Sequence, residues 1–337
     1  MPKKRESSLS PQTEPSLFGR RFRNPNPAFQ NPTPLKVARW LAKETARRRG
    51  FPSFGILKSP GSLAEARADR DADLLRENRS LTSFTWVGHS SFLIQVDGLN
   101  ILTDPVWSGR LVPGIGPQRF HAPGLAFEAL PSIDLVVISH DHYDHLDLRT
   151  LRRLGPVPLY CVPVGLKSLL RRKGLDRVEE FSWWDSLRLA SLTIRCVPAQ
   201  HFSVRGVLDR DRTLWAGWSI EGSQQKVYFG GDTGFYQRQF EEIAQVCGPL
   251  HVAILPVGAY RPEWLMQPVH MGPLEAILAL RILGARWFIP CHWGTFRLSE
   301  EPLEEPIHLL RQAMEKGDLQ DTEVWIPSPG LTRYLAG

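Results

Sequence analysis

The run His140-Asp141-His142-Tyr143-Asp144-His145 constrains this chain more than any other feature. It closely follows four apolar residues, Leu135-Val136-Val137-Ile138, which read as a strand covered on one or both faces. One His past a strand is ordinarily a surface or hydrogen-bonding residue. Three His and two Asp within six residues are the pattern of a metal site, because imidazole and carboxylate suit a borderline cation such as zinc. His140 and His142 are two apart, so one loop aims both at a single ion. Asp144 and His145 then turn to a second ion nearby.

The same placement recurs along the chain. His201 follows the run Leu192 to Val197 through Pro198-Ala199-Gln200. Asp232 follows Val227-Tyr228-Phe229 through Gly230-Gly231, and His292 follows Trp287-Phe288-Ile289 through Pro290-Cys291. Sites in α/β sheets collect at the carboxyl ends of strands. One edge of the sheet is therefore expected to gather His140, His201, Asp232 and His292. Together with His142, Asp144 and His145 they supply ligands for two ions with room for a shared water. Metal binding brings the pKa of water from 15.7 to about 7, so a nucleophile exists at neutral pH.

Thr85-Trp86-Val87, Phe92 to Val96, Asn100 to Thr103 and Val252-Ala253-Ile254-Leu255 add further strands, with Asp97-Gly98 as a hairpin turn. Pro273 to Gly284 reads as a helix with Pro at its start and Gly just past its end. Leu274, Ile277, Leu278 and Ile282 are expected to form its inner face. Strands mixed with helices predict a layered α/β domain. No repeat of 20–50 residues suggests a solenoid or propeller.

Charge is uneven. The formal net charge is +6, yet residues 1–50 alone hold twelve Lys or Arg against three Glu, leaving the rest slightly acidic. We expect residues 1–33 to be an extended or disordered basic arm, 34–80 an N-terminal helical segment, and 81–337 the hydrolase domain. Val37, Trp40 and Leu41 share one face of a basic helix, which suits either a membrane surface or the protein's own core. The acidic body argues against a phosphate-tracking surface, so no nucleic acid partner is expected. The N-terminus lacks the apolar stretch of a secretory signal, which predicts a cytoplasmic protein with peripheral membrane contact. Cys161, Cys196, Cys247 and Cys291 form no C-x-x-C pair and read as buried free thiols.

The run His140-x-His142-x-Asp144-His145 resembles the signature of the metallo-β-lactamase fold superfamily. Further segments are similar to one branch, the N-acylphosphatidylethanolamine-hydrolysing phospholipase D family. They are Thr103-Asp104-Pro105-Val106-Trp107-Ser108, Gly116-Pro117-Gln118-Arg119-Phe120, Leu130 to Asp134, Phe229 to Phe235, and Pro256 to Tyr260 followed by Trp264, Met266 and Val269 to Ala276. The resemblance implies an αββα sandwich with a two-zinc centre at one edge. His140, His142 and His201 would hold one zinc, Asp144, His145 and His292 the other, and Asp232 would bridge them. It matches His270 to a histidine beside the substrate phosphate. It further implies a phospholipid substrate, cleavage to an N-acylethanolamine and phosphatidic acid, and a homodimer. Asp144, Asp232 and, by the resemblance, His270 are the catalytic candidates. A lactonase or other carbon-ester hydrolase of the same fold is the alternative. His89 reads as a supporting group, and His121, His251 and His308 have no motif support. Trp264-Leu265-Met266 faces either acyl chains or the core.

Overall fold

The structure is a computed structural model that describes residues 9–16, 19–30, 35–40, 42, 72–112 and 116–335. In the basic arm, β1 (Gln12–Ser16) and β2 (Gly19–Arg23) pair antiparallel. This hairpin lies on the body: Phe22 N–H donates to the Asp211 carbonyl at 2.7 Å, and the Phe22 side chain packs against the central core. Residues 35–40 are helical, and the Trp40 indole donates to Glu300 at 2.7 Å. Leu41 and the basic run at 47–49 lie outside the described residues. No helix among the described residues is long and apolar enough to cross a membrane.

The body is built from two seven-stranded sheets. In the first, β3 (Thr82–Gly88), β4 (Ser91–Val96) and β5 (Leu99–Thr103) run antiparallel. Then β6 (Leu135–Val137), β7 (Leu159–Pro163) and β8 (Val178–Phe181) continue it in parallel. In the second, β9 (Ser186–Leu189), β10 (Leu192–Val197), β11 (Gly217–Glu221) and β12 (Lys226–Phe229) are antiparallel. Parallel strands β13 (Val252–Pro256), β14 (Trp287–Cys291) and β15 (Glu323–Val324) complete it. Finally β16 (Thr332–Leu335) returns to pair with β3. The β4–β5 turn places Asp97 at φ 49° and Gly98 at φ 78°, as a two-residue turn with both central residues left-handed requires.

Alternation explains the layers. Phe92, Ile94 and Val96 of β4 and Leu135 and Val137 of β6 point inward, against Ile194, Phe229, Ile254 and Ile289 of the other sheet. Leu93 and Val136 point the opposite way, under residues 72–77, α1 (Leu148–Leu154) and α2 (Lys167–Arg171). Tyr228, Ala253 and Phe288 of the second sheet face α3 (Gln237–Cys247), α5 (Pro273–Leu283) and α6 (Glu305–Glu315), while α4 (Glu263–Met266) is a short turn with no buried residue. With a helix layer outside each sheet, both strand faces are covered, so their sequences run apolar without a polar side. The molecule is an αββα sandwich.

Two expectations change. The site-bearing strands belong to two sheets, so it is the edge of the sandwich that collects their ends; local patterning does not say which sheet a strand joins. In α5, Leu274 and Leu278 are 63% and 46% exposed, and the buried set is Ala276, Ile277, Ala279, Leu280 and Leu283. That helix is apolar on nearly every side, so its sequence offers no unique stripe. Its limits agree with the reading, with Pro273 first and Gly284 left-handed at φ 62°.

Candidate metal centre

Six of the strands deliver a polar group at one rim: His89 after β3, Asp104 after β5, His140 after β6, His201 after β10, Asp232 after β12 and His292 after β14. All six are buried. Gly231 permits the close approach of the two sheets there. It sits at φ +58°, and a Cβ on it would lie 2.5 Å from Ser139 Cβ.

The predicted residues converge. His140, His142 and His201 each present an atom within 4.8 Å of the others, as do His89, Asp144, His145 and His292. Asp232 Oδ2 stands between the groups, 3.1 Å from His145 Nε2, 3.1 Å from His292 Nε2 and 3.8 Å from His201 Nε2. Asp144 Oδ2 is 3.4 Å from both His145 Nε2 and His292 Nε2. His270, three residues ahead of α5, turns its ring into the same cluster, with Nδ1 3.7 Å from Asp232 Oδ2.

Protons fix which ring edges face inward. His145 donates Nδ1–H to Asp104 Oδ2 at 2.6 Å. The Ser139 hydroxyl donates to the same oxygen at 2.6 Å, which leaves it to accept from His140 Nδ1–H at 2.9 Å. His201 donates Nδ1–H to the Val269 carbonyl at 2.8 Å. Each of these three rings therefore turns an Nε2 lone pair toward the cluster. The Nε2 atoms of His140, His142, His145 and His292, with Asp232 Oδ1, are buried without a hydrogen-bond partner. Buried polar atoms are nearly always paired, so this many inward-facing orphans mark a cation site.

Electrostatics agree. Burial would raise Asp144 and Asp232, yet the neighbouring imidazoles hold both well below the carboxylate range. Burial would lower His145, but Asp232, Asp144 and Asp104 outweigh it and push it well up; His292 is pushed up to about 9 against burial by Asp232 and Asp144. Two buried carboxylates thus demand positive charge. A divalent cation meets that demand and leaves the imidazoles neutral, as ligation requires. Burial already holds His142 and His201 down to about 3, and His140 well below the ordinary value.

Two supporting residues had weak sequence signals. Asp104 was legible only as part of a motif, though it follows a strand as the ligand candidates do. His89 donates to Asp144 Oδ2 at 2.9 Å. Burial lowers its pKa to about 3. Arg205 braces the histidine loop, donating Nη1–H to the carbonyls of Asp141 at 2.8 Å and Leu146 at 2.9 Å. Among the other histidines, His121 bonds the Thr295 hydroxyl, which also accepts from His89 N–H, and His251 accepts from Lys226 N–H. Trp183 is core, and Trp264 is half exposed on α4. The four cysteines are free and buried.

Comparison with known proteins places this geometry. Residues 99–293 match the family model of the beta-lactamase superfamily domain. An uncharacterized protein of Mycobacterium tuberculosis is 43% identical, over 77% of this chain and 70% of its own length. An N-acyl-phosphatidylethanolamine-hydrolyzing phospholipase D of Caenorhabditis elegans is 38% identical, over 92% of this chain and 91% of its own. A solved metallo hydrolase of Ignicoccus hospitalis superposes with TM-score 0.58 at 25% identity, covering 77% of this chain and all of that one. With the fold, the buried His and Asp cluster and these relatives in agreement, the chain belongs to the beta-lactamase superfamily and is a metal-dependent hydrolase resembling the N-acylphosphatidylethanolamine-hydrolysing phospholipases D.

Proposed function

We propose that the chain is a two-zinc phosphodiesterase acting on a phospholipid of the N-acylphosphatidylethanolamine type, giving an N-acylethanolamine and phosphatidic acid. The carrying observation is the pair of ligand groups sharing Asp232, with their inward-facing nitrogens unpaired. Similarity to the Caenorhabditis elegans phospholipase supports the substrate class. In this reading His140, His142 and His201 hold one ion, Asp144, His145 and His292 the other, and Asp232 both. When bound, the ions supply Lewis acidity toward phosphoryl oxygen and bring the pKa of water near 7.

The chain's own groups do the rest. Asp104 and Val269 fix the tautomers of His145 and His201, and His89 orients Asp144. Burial and the neighbouring His201 and His292 hold His270 neutral, although Asp232 opposes them. A neutral imidazole is a poor acid but a good N–H donor, so His270 is assigned to bind a non-bridging phosphate oxygen. A small pocket lined by Gly258, Ala259, His292, Phe296 and Arg297 adjoins the cluster at His292.

The test is metal content by emission spectroscopy together with turnover of bis(p-nitrophenyl) phosphate, a generic lactone and N-acylphosphatidylethanolamine vesicles. Two zinc ions per chain and phosphodiester turnover are expected. Turnover of the lactone alone removes the phosphodiesterase reading in favour of a carbon-ester hydrolase.

A further inference from the structure

The segment after His201 builds a loop whose tip is apolar and fully outside the core. Its base is closed by Asp211 N–H donating to the Ser203 carbonyl at 2.8 Å. Within it, Asp209 accepts from Arg205 N–H at 3.1 Å and from Gly206 N–H at 2.8 Å and 2.7 Å. A loop tied so closely presents its tip as an ordered feature. That tip is Val207, 97% exposed, and Leu208, 56% exposed. Two adjacent aliphatic side chains at an ordered tip form a small apolar point that gains free energy when an apolar phase covers it.

The loop's position is equally specific. It begins two residues past His201, and Val204 N–H donates to Asp141 at 2.9 Å while Tyr143 Oη–H donates to the Arg205 carbonyl at 3.0 Å. The tip therefore rises from the rim of the histidine cluster. On its other side lies the β1–β2 hairpin, joined through Phe22 N–H and the Asp211 carbonyl, and Asn24 Nδ2–H donates to the His201 carbonyl at 2.8 Å. Hairpin and loop bring together Arg20, Arg21, Arg23, Arg205, Arg210 and Arg212 against the carboxylates Glu14, Asp209 and Asp211, a local excess of three positive charges. Arg23 pairs with Glu14, and Arg210 with Asp211.

We propose that this loop tip and the adjoining basic hairpin dock on an anionic phospholipid surface. Val207 and Leu208 enter the acyl boundary while the arginines meet headgroup phosphates, which is how monotopic proteins combine apolar burial with charge. Because the tip lies a few residues past His201 and its loop is bonded to Asp141 and Tyr143, docking holds the metal centre against the headgroups. The proposal deepens the phospholipid reading above and rests on it for the occupant.

The experiment is cosedimentation of the full chain, loaded with zinc, with phosphatidylcholine vesicles with and without phosphatidylglycerol. V207D/L208D should weaken vesicle binding about tenfold or more, and V207W should strengthen it, through changed insertion alone. R20E/R212E should abolish the preference for phosphatidylglycerol. Metal content, melting temperature and bis(p-nitrophenyl) phosphate turnover should stay at wild-type values, since none of these residues touches the cluster. Binding of V207D/L208D within twofold of wild type overturns the proposal. So does a tip variant that shifts the oligomeric state of the lipid-free protein, because the tip would then cover another copy. Phosphodiester turnover with no vesicle binding removes the docking surface alone. Tip-dependent vesicle binding without any phosphodiester turnover supports the docking surface and removes the functional reading.

Discussion

Replacing Asp104 by Asn changes one oxygen for an NH2 at a site that touches no substrate, and it should still cripple metal binding. Asp104 is fully buried and accepts from Ser139 N–H at 2.7 Å, Ser139 Oγ–H at 2.6 Å and His145 Nδ1–H at 2.6 Å. An amide keeps one acceptor, which Ser139 N–H retains. Its NH2 takes the place of Oδ2 and meets both the Ser139 hydroxyl, which can turn to accept, and His145 Nδ1–H, which pairs donor with donor. Relief requires His145 to move its proton to Nε2, the edge that faces Asp232 at 3.1 Å and is needed as a lone pair. Losing one charge-assisted bond costs about 2 kcal/mol, close to 30-fold in affinity and within the range for partners of metal-bound histidine. In the proposed two-ion arrangement the loss should fall mainly on the ion that Asp144, His145 and His292 would hold. The other ion is reached only through Ser139 and His140. A competition titration with a chromogenic zinc chelator should thus turn biphasic in D104N, with one site about 30-fold weaker. Both sites titrating as in wild type, with turnover within twofold, would refute the assignment of Asp104 as the group that sets the His145 tautomer.

Asp232→Asn should lower phosphodiester turnover about a thousandfold while the melting profile of the ion-free protein changes little, because one carboxylate serves both ion groups; initial rates and calorimetry check this. Chelation should destabilise the fold by about 4 kcal/mol where zinc stands a thousandfold above its dissociation constant. Zinc should restore the lost melting temperature, as a thermal shift assay reads. Burial and the Arg119 charge lower His121 to about 4, below its unfolded value near 6.5. Its contribution to stability is then present above about 6.5 and is lost as pH falls toward 4. His121→Gln should accordingly flatten the acid limb of denaturation between those values by about 2 kcal/mol, measured by urea titration at each pH.

The strands that carry the site were legible because they are covered on both faces: Leu135 to Ile138 and Val252 to Leu255 are short β-branched runs with no polar alternation. The ligand positions were legible because each follows such a run within a few residues. Less visible were β7, whose apolar run ends in Pro163, and β11, where Ser219 and Glu221 interrupt the pattern. Pairing of strands into two sheets depends on contacts between residues far apart, so no local window records it. The buried side of α5 was misjudged because a helix apolar all round is oriented by its neighbours. Asp104 escaped because a lone carboxylate after a strand looks ordinary until its partner, His145, is seen 2.6 Å away. The loop tip at Val207 and Leu208 is unremarkable in sequence; only its exposure beside the cluster singles it out.

The division of the ligands between the sheets has a consequence for how this protein is assembled. His140, His142, Asp144 and His145 come from the first sheet's side of the chain, and His201, Asp232 and His292 from the second. Neither half owns a complete coordination shell, so ion capture is coupled to the packing of one sheet upon the other and strengthens it. A cation held there would act as a rivet across the seam, and the nascent polypeptide cannot complete the cluster until residue 292 has joined the rest.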